Sequence, residues 1–133
     1  MGFYKTDWFD VIGTNVEKQA ISAGNTYSSE ISCNGVYAYV SVSVKVVVDF
    51  GATPDGDVLI NIYGIDESSG GADESDTAPI WTQRIKRSAS TKMIITIPNI
   101  SVMSMDALKI DAKNDDTIDP IYVWMSAVGA YNA

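Results

Sequence analysis

At 133 residues, with 46% hydrophobic and 20% charged side chains, the chain has room for one core and needs no second. A formal charge of −8 repels phosphate backbones and anionic lipid surfaces, so neither nucleic acid nor membrane is an expected partner. Histidine is absent and Cys33 is the only cysteine, which removes the commonest general base, every Ser-His or Cys-His pair and any disulfide within one chain.

The opening residues lack a charged stretch followed by an apolar run, so the expectation is a protein made and used in a cytoplasm. "FYKTDWF" (3–9) brings Phe3, Tyr4, Trp8 and Phe9 together before any core has begun. It reads as an N-terminal arm over residues 1–10, laid on a neighbour, ahead of a single domain over 11–133. "DWFDVIGTN" and "NTYSSEISC" read as strands, with Cys33 as a half-buried strand residue. "NVEKQAI" (15–21) is the sole helix candidate and is too short to be stable alone.

"GVYAYVSVSVKVVVDFG" (35–51) alternates along most of its length. Val36, Ala38, Val40, Val42, Val44, Val46, Val48 and Phe50 form one face; Tyr37, Tyr39, Ser41, Ser43, Lys45 and Asp49 form the other. At ~3.3 Å per residue the run would extend on the order of 50 Å. Ser41, Ser43 and Val47 make a nearly uncharged strip in an acidic chain, which suits a subunit interface. Gly51, Pro54 and Asp55-Gly56 then supply a turn.

"DVLINIYGID" (57–66) is apolar on both faces, as for a strand covered on both sides. "ESSGGADESDTAP" (67–79) is a polar loop. "IWTQRIKR" (80–87) and "TKMIITIP" (91–98) read as a hairpin about Ser88-Ala89-Ser90. "SVMSMDALKIDAK" (101–113) and "IYVWMSAVGAY" (121–131) complete the set, joined by the turn "NDDTIDP". About eight strands with regular turn signals predict an all-β fold, an antiparallel β-sandwich with jelly-roll topology.

Carboxylates gather at Asp66, Glu67, Asp73, Glu74 and Asp76 and again at Asp111, Asp115, Asp116 and Asp119. Such oxygen donors could suit Ca²⁺, but the spacing matches no EF-hand loop and a solvated acidic loop is the expected reading; no cofactor is expected. Arg84, Lys86, Arg87 and Lys92 concentrate positive charge beside one turn. They serve either to guard an edge strand from aggregation or to dock an acidic partner. Trp81 and Trp124 are candidate platforms for a sugar ring. No nucleophile, base and orienting group can be named together, so an enzyme is not expected.

From "VKVVVDFGATPDGDVLINIYGID" to "KIDAKNDDTIDPIYVWMSAVGAY", roughly residues 36–131, the chain resembles capsid decoration (cement or auxiliary head) proteins of tailed bacteriophages. That resemblance implies a non-enzymatic virion protein, often a homotrimer, assembled in the host cytoplasm and bound outside a capsid where coat subunits meet. The major capsid protein would be the partner, with Phe3, Tyr4, Trp8 and Phe9 as arm contacts and Arg84, Lys86 and Arg87 as electrostatic contacts. The competing expectation is a glycan-binding module of a tail fibre or host-recognition structure, using Trp81 or Trp124.

Overall fold

The computed structural model describes residues 3–66, the backbone of 74–75, and residues 77–103 and 105–132. Among these residues the period-two pattern resolves into eleven strands. In chain order they are β1 (Phe3–Lys5), β2 (Phe9–Ile12), β3 (Gln19–Ile21), β4 (Thr26–Ser32), β5 (Tyr39–Asp49) and β6 (Val58–Asp66). They continue as β7 (Glu74–Ser75), β8 (Trp81–Ile85), β9 (Lys92–Ser101), β10 (Ala107–Asn114) and β11 (Ile121–Asn132).

Two antiparallel sheets form. In the six-stranded sheet β11 lies beside β5, and β5 beside β9, while β1, β2 and β3 share the other edge of β11. In the five-stranded sheet the order runs β4, β10, β6, with β7 and β8 both paired to β6. Apart from the β6–β8 pair, the successive long strands pass from one sheet to the other, and β11 returns to lie between the start of the chain and β5. This is the jelly-roll order anticipated from the strand count, extended by the short strands β1, β3 and β7.

The core lies between the sheets. Val42, Val44, Val46 and Val48 of β5 and Val123, Met125 and Ala127 of β11 are sealed from solvent, as are Ile60 and Ile62 of β6 and Leu108, Ile110 and Ala112 of β10. Each such aliphatic side chain contributes roughly 1.5–3 kcal/mol of gross burial, most of it offset by the entropy of ordering the chain. One end is locked by two acidic turns. The backbone of Gly56 comes so close to Asp115 that a Cβ there would sit 2.3 Å from the Asp115 carbonyl carbon, and Asp115 N–H donates to the Asp57 carbonyl at 3.0 Å.

Several local expectations are corrected. Residues 19–21 of the helix candidate form β3 on the edge of β11, where strand pairing outweighs a marginal helical turn. The long alternating run does not begin at Val36. Asn34-Gly35 turns the chain, Tyr39 N–H donates to the Cys33 carbonyl at 2.9 Å, and the strand starts only at Tyr39, so its length is roughly 36 Å instead of 50 Å. Cys33 is fully buried in that bend and lies outside any strand.

Residues 80–98 are not a hairpin. β8 pairs with β6 in one sheet and β9 with β5 in the other, so residues 86–91 bridge the two layers and bring Ile85 and Ile97 into the core from opposite sides. The stretch 101–113 is likewise divided between the end of β9, a turn, and β10.

Candidate interaction surfaces

Strand alternation decides what the outer face of the six-stranded sheet presents. In register across β9, β5 and β11 stand Ile94, Val47 and Trp124, with Thr96, Lys45 and Ser126 in a parallel row. Val47 is only 4% exposed, flanked by its two large neighbours, whereas Ile94 is 56% exposed and Tyr122 also faces outward. The indole Nε1–H of Trp124 donates to Asp10 Oδ1 at 2.8 Å, and the Lys45 ammonium stands 5.9 Å from the centre of the Trp8 ring. A Lys18–Asp49 ion pair at 3.2 Å closes one margin. The result is a mostly apolar, partly aromatic strip with charges at its border.

The outer face of the five-stranded sheet differs in kind. Ser28 donates to Asp111 at 2.5 Å, Thr82 to Asn61 at 2.8 Å, and Lys109 stands 5.4 Å from the Tyr63 ring. These are contacts of a solvated sheet surface.

A second apolar surface lies at one end of the sandwich. The Tyr37 ring stacks on Tyr131 with centroids 4.0 Å apart and planes inclined by 12°, and Tyr4 stacks on the same Tyr131 at 5.9 Å. Tyr39 packs its ring against the backbone of Gly129, where any Cβ would fall 2.6 Å from a ring carbon. Partial burial, together with the hydrogen bond to Tyr37, raises the Tyr131 phenol above its ordinary value, so it is neutral at physiological pH. Val36, Met103, Tyr37, Tyr39 and Tyr131 border a hollow of about 410 Å³.

The residues singled out in the sequence are distributed over several places. Phe3 and Tyr4 lie in β1, and Phe9 in β2, both hydrogen-bonded along β11, so residues 3–5 and 9–10 of the expected arm belong to the sheet. Trp8 lies between these strands over Lys45. Ser43 Oγ accepts the N–H of Asn99 at 3.0 Å and Val47 is covered by its own chain, while Ser41 is half-buried between Ala130 of β11 and Ser101 of β9. Trp81 is 40% exposed at the start of the edge strand β8.

Two members of the basic cluster, Arg84 and Arg87, are tied to the neighbouring acidic turns. Arg84 reaches Asp57 at 3.6 Å and Asp115 at 3.8 Å, while the Arg87 guanidinium donates to the Asp55 carbonyl at 3.1 Å and the Arg87 backbone N–H to Asp57 Oδ1 at 2.9 Å. Lys86 is exposed and makes no ion pair with a described residue.

The carboxylates of the 111–119 turn are similarly occupied. Asp116, 2% exposed, accepts the N–H groups of Ile118 and Asp119 on Oδ1 and that of Asp55 on Oδ2, at 2.7–2.9 Å. The Asp119 amide first, then those of Ile118 and Asp55, hold its carboxyl down at about 2 against the opposing effect of burial. Asp55 in turn accepts from the N–H and hydroxyl of Thr117. Among the described residues no three of His, Cys, Asp and Glu converge on a point where a metal ion would sit. Apart from Asp66 and the backbone of residue 74, the acidic run 66–76 lies outside the described residues.

Sequence reasoning named Tyr4 but did not join it to Tyr37 and Tyr131. Tyr4, Tyr37 and Tyr131 are far apart in the chain, and only the aromatic run at 3–9 and the paired tyrosines 37 and 39 gave any signal.

No family model matches the chain, and no curated protein matches it in sequence. Solved structures do match in fold. A xylan-binding domain of carbohydrate-binding module family 22 superposes with a TM-score of 0.53 at 11% identity, covering 97% of this chain and 86% of that one. Infectious bursal disease virus VP2, in a subviral particle, gives 0.58 at 10% identity over 98% of this chain. Dimeric latent PorU from Porphyromonas gingivalis gives 0.59 at 11% identity over 99%. This chain spans 33% of the VP2 chain and 13% of the PorU chain. At such identities the likeness establishes a β-sandwich of jelly-roll type shared by capsid proteins and carbohydrate-binding modules, and nothing finer.

Proposed function

We propose that this chain is a non-enzymatic structural protein of a virion, one that binds the outside of a phage capsid as a homotrimer and ties neighbouring coat subunits together. The observation that carries the reading is the outer face of the six-stranded sheet, where Trp8, Ile94, Tyr122 and Trp124 line an apolar strip with Lys45 and Lys92 at its border. Interfaces have this anatomy, an aromatic and aliphatic centre inside a polar rim. The resemblance in sequence and the fold shared with a capsid protein support the same reading. Contacts repeated over several coat subunits would make a modest interface slow to release.

The test uses purified heads of the phage that encodes the chain, stripped of this protein. Added protein should sediment with heads and not with tails. Ile94→Glu should weaken that binding at least about tenfold, the effect of losing one central anchor. Absence from heads, or binding indifferent to Ile94→Glu and Trp8→Ala together, would refute the assignment.

A glycan-binding module is the second reading, favoured by the exposed Trp81 and by the fold shared with the xylan-binding domain. It requires a hit on a glycan array that Trp81→Ala abolishes.

A further inference from the structure

The structure assigns the tyrosine-lined end of the sandwich as the surface on which copies of this chain meet. Val36 is 92% exposed and Met103 77%, beside Tyr4 at 55% and Tyr37 at 46%. Together these four side chains offer on the order of 500 Å² of contiguous surface, at the upper end of what a monomer normally leaves uncovered. A standard interface takes about 800 Å² from each partner, so the patch supplies most of one and the surrounding loops the rest.

Two features favour a second copy over another kind of partner. The first is shape. Val36 and Met103 project beside the hollow of about 410 Å³ floored by Tyr39 and Tyr131, so one face carries both apolar knobs and a place to receive them. Knobs and receptacle side by side let each copy insert into one neighbour while receiving another, as a closed ring of copies such as the homotrimer proposed above requires. The second is charge. Each copy carries −8, and two such chains repel wherever their acidic surfaces approach. None of the residues bordering the hollow is an acid or a base charged at neutral pH, so this end lets two copies touch without burying a charge.

The inference concerns the isolated chain and stands apart from capsid binding, which involves the outer face of the six-stranded sheet. Sedimentation of the protein alone therefore tests it. From low micromolar to near-millimolar concentration the 14.3 kDa chain should associate reversibly, and added salt should tighten or leave unchanged the association, because it screens repulsion between like charges. The double variant Val36→Glu, Met103→Glu should stay monomeric throughout, with a circular dichroism spectrum and melting temperature that match the parent's at dilutions where the parent is itself monomeric, both side chains being exposed. Ile94→Glu, on the other surface, should associate like the parent.

Four results would overturn the inference. They are a parent chain monomeric at every concentration, a double variant that associates as tightly as the parent, dissociation caused by Ile94→Glu instead, or a patch needed only for binding to capsid particles.

Discussion

Replacing Asp116 probes the turn that locks one end of the sandwich. Its carboxylate accepts three backbone N–H groups, from Asp55, Ile118 and Asp119. A hydrogen bond to a charged group is worth about 1.5–3 kcal/mol net, and the lower end applies here because the donors are only partly buried. Asp116→Ala should therefore cost roughly 3–5 kcal/mol. Asp116→Asn keeps an oxygen for Ile118 and Asp119 but turns an amide NH₂ toward the Asp55 N–H, and should cost about 1.5–3 kcal/mol.

The pH dependence has a definite sign. The folded carboxyl titrates at about 2, below its ordinary 3.8, so its contribution is fully present above about pH 4 and is lost as pH falls through about 2. The asparagine variant lacks that group. The stability gap between parent and Asp116→Asn should thus be flat from neutrality to about pH 5 and shrink between about pH 4 and 2. Urea unfolding followed by tryptophan fluorescence at several pH values measures it. A cost below about 1 kcal/mol for Asp116→Ala, or a gap that stays constant down to about pH 2, would refute the reasoning.

Gly56→Ala should destabilise by about 2–4 kcal/mol, read as a lowered urea midpoint, because the Asp115 backbone beside it is part of the same lock and has little room to retreat. Gly129→Ala should cost less, about 1–3 kcal/mol, since it displaces the half-buried Tyr39 ring and not backbone. Adding Tyr39→Leu should recover part of that loss, which a double-mutant cycle would measure as coupling. Cys33 should be inert to thiol reagents in the native state, being fully buried with burial pushing its thiol up to about 11, and should react at the rate of unfolding. Rapid labelling of the folded protein would contradict that burial.

Some of this molecule is legible in the sequence. Valines alternating through 40–48 and turn signals such as Pro54-Asp55-Gly56 are local properties, and strands are built from local properties. The tyrosine end was not legible, because stacking Tyr4 and Tyr37 on Tyr131 needs β1 paired to β11 and a bend at Asn34-Gly35 that the alternation of the run concealed. The surroundings of Arg84 and Arg87 were not legible either, because the Asp55, Asp57 and Asp115 that folding brings against them lie about 30 residues away in the chain on either side.

The amino-acid sequence by itself therefore determined the class: an all-β chain, acidic, without histidine, carrying one core and about eight principal strands. Tertiary structure decided the rest, namely which strands share a sheet, that residues 86–91 cross between layers, which carboxylates are consumed by backbone amides, and where apolar side chains remain uncovered. The physical reason is that hydrogen-bond partners in a sheet are chosen over long separations by closure of the whole core, whereas alternation and turn chemistry act between adjacent residues.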